Sequence, residues 1–134
     1  MARGRVPMLL LDSQALLWLV DDSPRLGPEA RHTISSTGGV HVSAATVWEL
    51  TIKTMLGKLS VPRDFGRRLV EQGLVLLSIT AEHAEALHEF PELTRHDPFD
   101  RLLVAQAQQA GLRLLTADHV LLKLERDFIL DATR

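Results

Sequence analysis

Cysteine is absent from this 134-residue chain, and so is tyrosine. The first absence excludes disulfides and zinc–thiolate centres and allows a reducing compartment. Aromatic residues are 4% of the chain against 46% hydrophobic overall, so the apolar mass is Leu, Val, Ile and Ala. That composition suits an α/β domain better than a β-sandwich. No apolar run is long enough to span a membrane. Arg3 and Arg5 precede an apolar stretch, as in a signal peptide, but Asp12 and Gln14 interrupt it. Acidic Asp21 and Asp22 stand where small cleavage-site residues are needed, so a signal peptide is rejected and a cytoplasmic protein is expected. The chain has no HExxH pair among its six histidines and no GxxxxGK[ST] phosphate loop. Neither sign of charge dominates: 15 basic residues face 17 acidic ones, for a net charge of −2. This balance does not announce a nucleic-acid binder, yet a local basic patch is enough for phosphate contacts. Lys53, Lys58 and Lys123 are the lysines; the other basic residues are arginines, the better phosphate forks.

What is present alternates. Met8 to Leu11 is a short unbroken apolar run, as in a strand buried on both faces, and Ser13 to Val20 reads as the helix after it. A helix from Gly27 to about Ser36 is broken by Gly38 and Gly39. Val40 to Ser43 is a second strand. Trp48, Ile52, Met55 and Leu56 recur at helical steps up to Gly57, with the core their expected destination. Pro62 to Asp64 starts a helix through Glu71. Leu74 to Ile79 is a third strand, and Thr80 caps a helix with Ala84, Leu87 and His88 inward. Asp97, Pro98 and Asp100 open a buried helix to about Ala110, closed by Gly111. Leu112 to Thr116 is a fourth strand, Asp118 begins a short helix, and Phe128 to Leu130 is a terminal edge strand. The pattern predicts one domain over residues 1–134, with residues 1–7 a flexible basic arm. Its fold is α/β/α in three layers around a central, mainly parallel sheet.

The acids fall in a pattern. Asp12 follows the first strand, Glu49 lies in the helix after the second, Asp97 and Asp100 open a later helix, and Asp118 lies just past the fourth strand. In an open parallel sheet the site lies outside the carboxyl ends of the strands, so Asp12, Asp100 and Asp118 aim at one edge and Glu49 can reach it. Each acid also has an ordinary role. Asp12 and Asp118 suit helix N-caps, and Glu49 is spaced to pair with Lys53. Gathered together, they would repel, with no lysine evident nearby to neutralise them. A hard divalent cation resolves the repulsion. Mg²⁺, or Mn²⁺ in its place, takes carboxylate oxygens and supports displacement at phosphorus. Haloacid-dehalogenase phosphatases place a second Asp where Gln14 stands. Receiver domains need paired acids after the first strand and a Lys after a late one, and both are missing.

Several blocks, in this order and at this length, resemble the PIN-domain nucleases, and within them the toxins of VapBC-type toxin–antitoxin modules. The blocks are Leu9-Leu10-Leu11-Asp12 with Ala15-Leu16-Leu17-Trp18, then Val42-Ser43-Ala44-Ala45-Thr46-Val47-Trp48-Glu49 and Gly57-Lys58-Leu59. They continue with His96-Asp97-Pro98-Phe99-Asp100-Arg101-Leu102-Leu103 and Leu115-Thr116-Ala117-Asp118. Gln14 departs from the His often found there in relatives. The resemblance implies a PIN fold and a Mg²⁺-dependent endoribonuclease. It implies Asp12, Glu49, Asp100 and Asp118 as the acidic quartet. Asp97 is expected to cap its helix and support the site, with Ser43 and Thr116 as hydroxyl supports and Arg101 as a contact to RNA phosphate. A cognate antitoxin and a homodimer are the implied protein partners; Trp18, Trp48, Met55 and Leu56 are candidates for lining an antitoxin groove. Two other readings stay open: a PIN nuclease of RNA processing outside a toxin module, and a non-catalytic RNA-binding or scaffold protein on the same fold.

Overall fold

The computed structural model describes residues 8–134; the basic arm expected over residues 1–7 lies outside them. Five strands form one sheet in the order β3-β2-β1-β4-β5. They are β1 (Leu9–Leu11), β2 (Val40–Ser43), β3 (Val75–Leu77), β4 (Arg113–Thr116) and β5 (Ile129–Asp131). Every pairing is parallel, with Leu11 beside Val42 on one side and Leu115 on the other. The helices are α1 (Ser13–Val20), α2 (Pro28–Ser36), α3 (Ala44–Met55), α4 (Phe65–Glu71), α5 (Ala81–Glu85), α6 (Pro98–Ala110) and α7 (His119–Leu122).

The unbroken apolar strands are explained by two faces that both need covering. Leu11 and Leu115 point into one core, which also holds Leu16, Leu26, Leu50 and Phe65 from α1 to α4 and the loops beside them. Their neighbours Leu10 and Leu114 point the other way, into a core with Phe90, Leu93, Leu103 and Leu121. The result is three layers, helix on sheet on helix. The helix expected after Thr80 is shorter than the pattern implied. After α5 the chain tightens into 3₁₀ turns at Ala86–Glu89 and Pro91–Leu93. Its inward face is His83 and Ala86 rather than Ala84 and His88, because the capping box sets the first turn: Thr80 and His83 bond reciprocally across it.

The expectation that Trp48, Met55 and Leu56 enter the core is overturned. They are 63%, 82% and 64% exposed. The buried residues of α3 are Ala45, Thr46, Glu49 and Leu50. Helical spacing defines two stripes on α3, and the smaller one meets the sheet.

Topology places the site. From β1 the chain steps outward to β2 and β3, then returns to the other side of β1 for β4 and β5. The order reverses between β1 and β4, the switch point of the sheet, where a crevice opens beyond the strand ends. Asp12 follows β1 there, and Thr116 ends β4.

The far edge is closed by the C-terminal residues. Gly27 donates its N–H to Ala132 O (3.0 Å), and Ala30 donates to Arg134 O (2.8 Å). A Cβ at Gly27 would lie 2.1 Å from the Arg134 carbonyl oxygen. Gly27→Ala should therefore push the tail off α2 and destabilise the fold by about 1–3 kcal/mol in urea unfolding. An unchanged unfolding midpoint would contradict this docking.

Candidate functional site: an acidic cavity at the sheet switch point

A cavity of about 380 Å³ opens at the strand ends, and Asp12, Glu49, Asp97, Asp100 and Asp118 all line it. Each is put there by local structure. Asp12 caps α1, with Oδ1 accepting from the Ala15 amide (2.7 Å), and its own N–H is tied to Leu115 O. Its Oδ2 accepts from the Thr116 hydroxyl at 2.6 Å. The same hydroxyl accepts from the Asp118 amide (3.0 Å), so one Thr joins two acidic segments. Asp118 caps α7 through Oδ1, to Val120 N (2.8 Å) and Leu121 N (3.1 Å). Asp97 caps α6 by accepting from Phe99 N and Asp100 N. Asp100 then falls in the first turn of α6, at its positive end.

Glu49 enters from α3 and is 7% exposed. It accepts from the Ser13 hydroxyl and from Lys53 Nζ, the latter at 2.7 Å. Lys53 lines the same cavity, which corrects the expectation that no lysine lies near the acids. Its spacing of four residues from Glu49 was the signal. Ser43 is fully buried and caps α3 through the Ala45 amide, so it supports Glu49 through the helix. Thr116 supports the carboxylates directly.

His96 was missed by a sequence reading centred on acids. Its Nε2 lies 3.3 Å from Asp118 Oδ2 and 3.6 Å from Asp100 Oδ2. His96, Asp100 and Asp118 offer ligand atoms that all lie within 4.8 Å of one another. The spacing of four residues from Asp100, across a helix start, was available in the letters. Arg101 is not brought to the acids. It donates to Thr94 O (2.7 Å) and lines a second cavity with Phe90 and Pro91. It braces the loop that carries His96 and Asp97.

The crowding shows in proton affinity. Burial first, then the charges of Asp97, Asp118 and Asp12, push Asp100 up to about 8, with hydrogen bonding toward Asp118 a smaller cause in the same direction. Burial likewise raises Asp12. Burial would raise Asp118 too, but the Leu121 amide, His96 and the proton from Asp100 outweigh it, and its carboxyl sits below its ordinary range. A site that gathers this many carboxylates has the charge and the hard oxygen donors for a divalent cation. Asp100, Asp118 and His96 fit one by spacing, and Asp12 and Glu49 line the cavity that Asp100 and Asp118 share.

These features define an α/β/α protein with an acidic site at the switch point of a parallel sheet. The chain belongs to the PIN domain family, whose profile matches residues 9–127. No curated protein gives a significant match. Several solved structures share the fold. A toxin–antitoxin complex from Klebsiella pneumoniae is 17% identical, with a TM-score of 0.62, over 91% of this chain and 95% of that one. VapBC2 from Rickettsia felis, bound to a promoter DNA fragment, is 13% identical (TM-score 0.65, 92% and 96% covered). DNA-bound VapBC from Salmonella typhimurium is 21% identical (TM-score 0.60, 93% and 96% covered). No helix among the described residues is long and apolar enough to cross a membrane.

The raised carboxyls set a pH dependence. Between the ordinary value of 3.8 and about 8 the folded chain holds a proton on Asp100 that the unfolded chain releases. Stability is then greatest at the acid end of that window and falls as pH rises through it. Asp12 acts in the same direction. Asp118, lowered, acts oppositely and only below its ordinary range. In chelator, the melting temperature should fall from pH 5 toward pH 8.5 by more in the wild type than in Asp100→Asn, which should be the more stable of the two at the upper end. Parallel curves would remove Asp100 from this role.

Proposed function

We propose that this chain is the toxin of a type II toxin–antitoxin pair and hydrolyses RNA phosphodiester bonds with a divalent cation, Mg²⁺ by preference over Mn²⁺ on abundance. The observation that carries the reading is the acidic cavity itself. Five carboxylates share it, and burial together with the neighbouring charges raises the proton affinity of Asp100. Such a cost in stability is expected of a site kept for chemistry. Asp12, Asp100 and Asp118 would hold the cation, with Glu49 completing the set directly or through water. When bound, the cation activates water and neutralises charge on the phosphoryl oxygens.

The chain's own residues supply the positioning. Thr116 and the Ala15 amide fix the two oxygens of Asp12, so that carboxylate cannot rotate away. The α7 cap fixes Asp118 by Oδ1 and leaves Oδ2 turned toward Asp100 and His96. Ser13 and Lys53 fix Glu49, and Lys53 also adds a positive charge to the wall that an RNA phosphate would meet. The cavity is open, and no base-reading arrangement lines it, which suits a strand recognised by its backbone and shape.

The antitoxin reading is supported by the outward stripe of α3. Trp48 packs edge-on against Phe99 (ring centroids 5.8 Å apart) and, with Met55 and Leu56, leaves an apolar surface beside the acids. An amphipathic helix fits such a stripe. An Arg carried by it into the cavity would neutralise the carboxylates. For a second copy of the chain, Val70, Val75, Leu76 and Ile79 offer exposed aliphatic area around the β3 edge. The proposed unit is one domain acting in the cytoplasm.

Purified, antitoxin-free protein should cleave a mixed panel of structured RNAs when Mg²⁺ is present. Chelator or Asp12→Asn should reduce the rate by at least about 100-fold, the scale of losing one preorganised charge. Cleavage that persists in chelator, or at full rate in Asp12→Asn, would overturn the reading.

A further inference from the structure

The geometry points to His96 as a direct ligand of the cation, biasing the site toward Mn²⁺ and later first-row ions relative to Mg²⁺. This inference rests on the metal-dependent reading above and goes beyond its acidic set.

The first ground is spacing. Neighbouring ligands on an octahedral ion at about 2.1 Å are about 3 Å apart, and on a tetrahedral ion slightly more. Nε2 of His96 lies 3.3 Å from Asp118 Oδ2 and 3.6 Å from Asp100 Oδ2. All three ligand atoms lie within 4.8 Å of one another, close enough for small side-chain adjustments to bring them to one ion.

The second ground is how the donors are oriented. Both oxygens of Asp12 already accept hydrogen bonds, from Ala15 and Thr116. Both oxygens of Glu49 do so as well, from Ser13 and Lys53. Asp118 Oδ1 takes two amides of α7. Oδ2 of Asp118 and Oδ2 of Asp100 both face Nε2 of His96. These bonds orient the carboxylates without removing them as ligands, and His96 adds, at the edge of the cavity, the one nitrogen toward which two of their oxygens are turned.

The third ground is placement. The His96 side chain is 19% exposed, less than Asp100 at 23% or Asp118 at 26%. Its backbone N–H is held by Leu93 O (2.9 Å). On either side Arg101 pins Thr94 and Asp97 caps α6. The ring is presented by braced backbone.

Chemistry then gives the selectivity. Mg²⁺ prefers an all-oxygen shell and sheds water reluctantly, whereas imidazole nitrogen suits the first-row transition ions. An imidazole in the shell raises affinity for Mn²⁺ and Co²⁺ more than for Mg²⁺. The competing role is electrostatic. As an imidazolium, His96 would only balance two carboxylates and would leave when a cation arrives.

The test is pulsed electron paramagnetic resonance of the Mn²⁺-loaded full chain, alongside calorimetric titration with Mn²⁺ and with Mg²⁺. The wild type should show nitrogen-14 modulation from a directly bound imidazole, and His96→Ala should abolish it. His96→Ala should weaken Mn²⁺ by about tenfold or more and Mg²⁺ by less than about threefold, on the scale of perturbing one ligand position. Mn²⁺ bound without nitrogen modulation, or with modulation that survives in His96→Ala, would overturn the ligand assignment and leave the metal-dependent reading standing. No Mn²⁺ binding by folded wild type would overturn both. If His96→Ala does not fold, His96→Gln carries the comparison, and the wild-type spectrum alone can still contradict the assignment.

Discussion

Like-charge repulsion among carboxylates brought to one end of a parallel sheet is the constraint on which the rest of this structure depends. The fold answers it with fixed dipoles. Asp12, Asp97 and Asp118 each cap a helix, so three helices turn their positive ends toward the cavity. Asp100 sits one turn into α6, inside the same field. Lys53 and His96 add charge or its potential at the two flanks. The N-caps that a structural reading assigns to these acids and the chemical site are therefore one arrangement. The cap fixes one oxygen of the carboxylate and aims the other.

The compensation is incomplete. Burial, and then the neighbouring carboxylates, still push Asp100 up to about 8 despite the caps and internal cations. On the proposed reading, a divalent ion would displace the Asp100 proton, since metal ligands bind deprotonated. Thr116 adds precision. By binding Asp12 and the Asp118 backbone together, it couples the ends of β1 and β4 across the switch point. Function here is supported by structure that reaches well behind the carboxylates.

Much of this was legible in the letters, and the gaps have physical reasons. Leu9 to Leu11 and Leu114 to Leu115 announce strands buried on both faces because nothing polar interrupts them. Asp12, Asp100 and Asp118 could be sent to one edge because a parallel sheet puts every strand's carboxyl end on the same side. The α3 stripe was misjudged for the opposite reason. Periodicity says which residues share a face but not which face meets the sheet, and Ala45 and Leu50 won the core while Trp48 and Met55 stayed outside. His96 escaped because its partner Asp118 is 22 residues away, a contact that only the fold creates. Lys53 was visible as a helix neighbour of Glu49, yet its presence in the cavity required knowing that Glu49 points inward.

The central claim is that the acidic cavity is built to hold a divalent cation, and thermal unfolding across a Mg²⁺ titration tests it most directly. The melting temperature of the chelator-treated wild type should rise with the logarithm of Mg²⁺ once the site begins to fill. At a free concentration about 100-fold above the dissociation constant, the gain should be about 2.7 kcal/mol. Asp12→Asn should show much less of this rise. A wild-type melting temperature indifferent to Mg²⁺ would contradict the account.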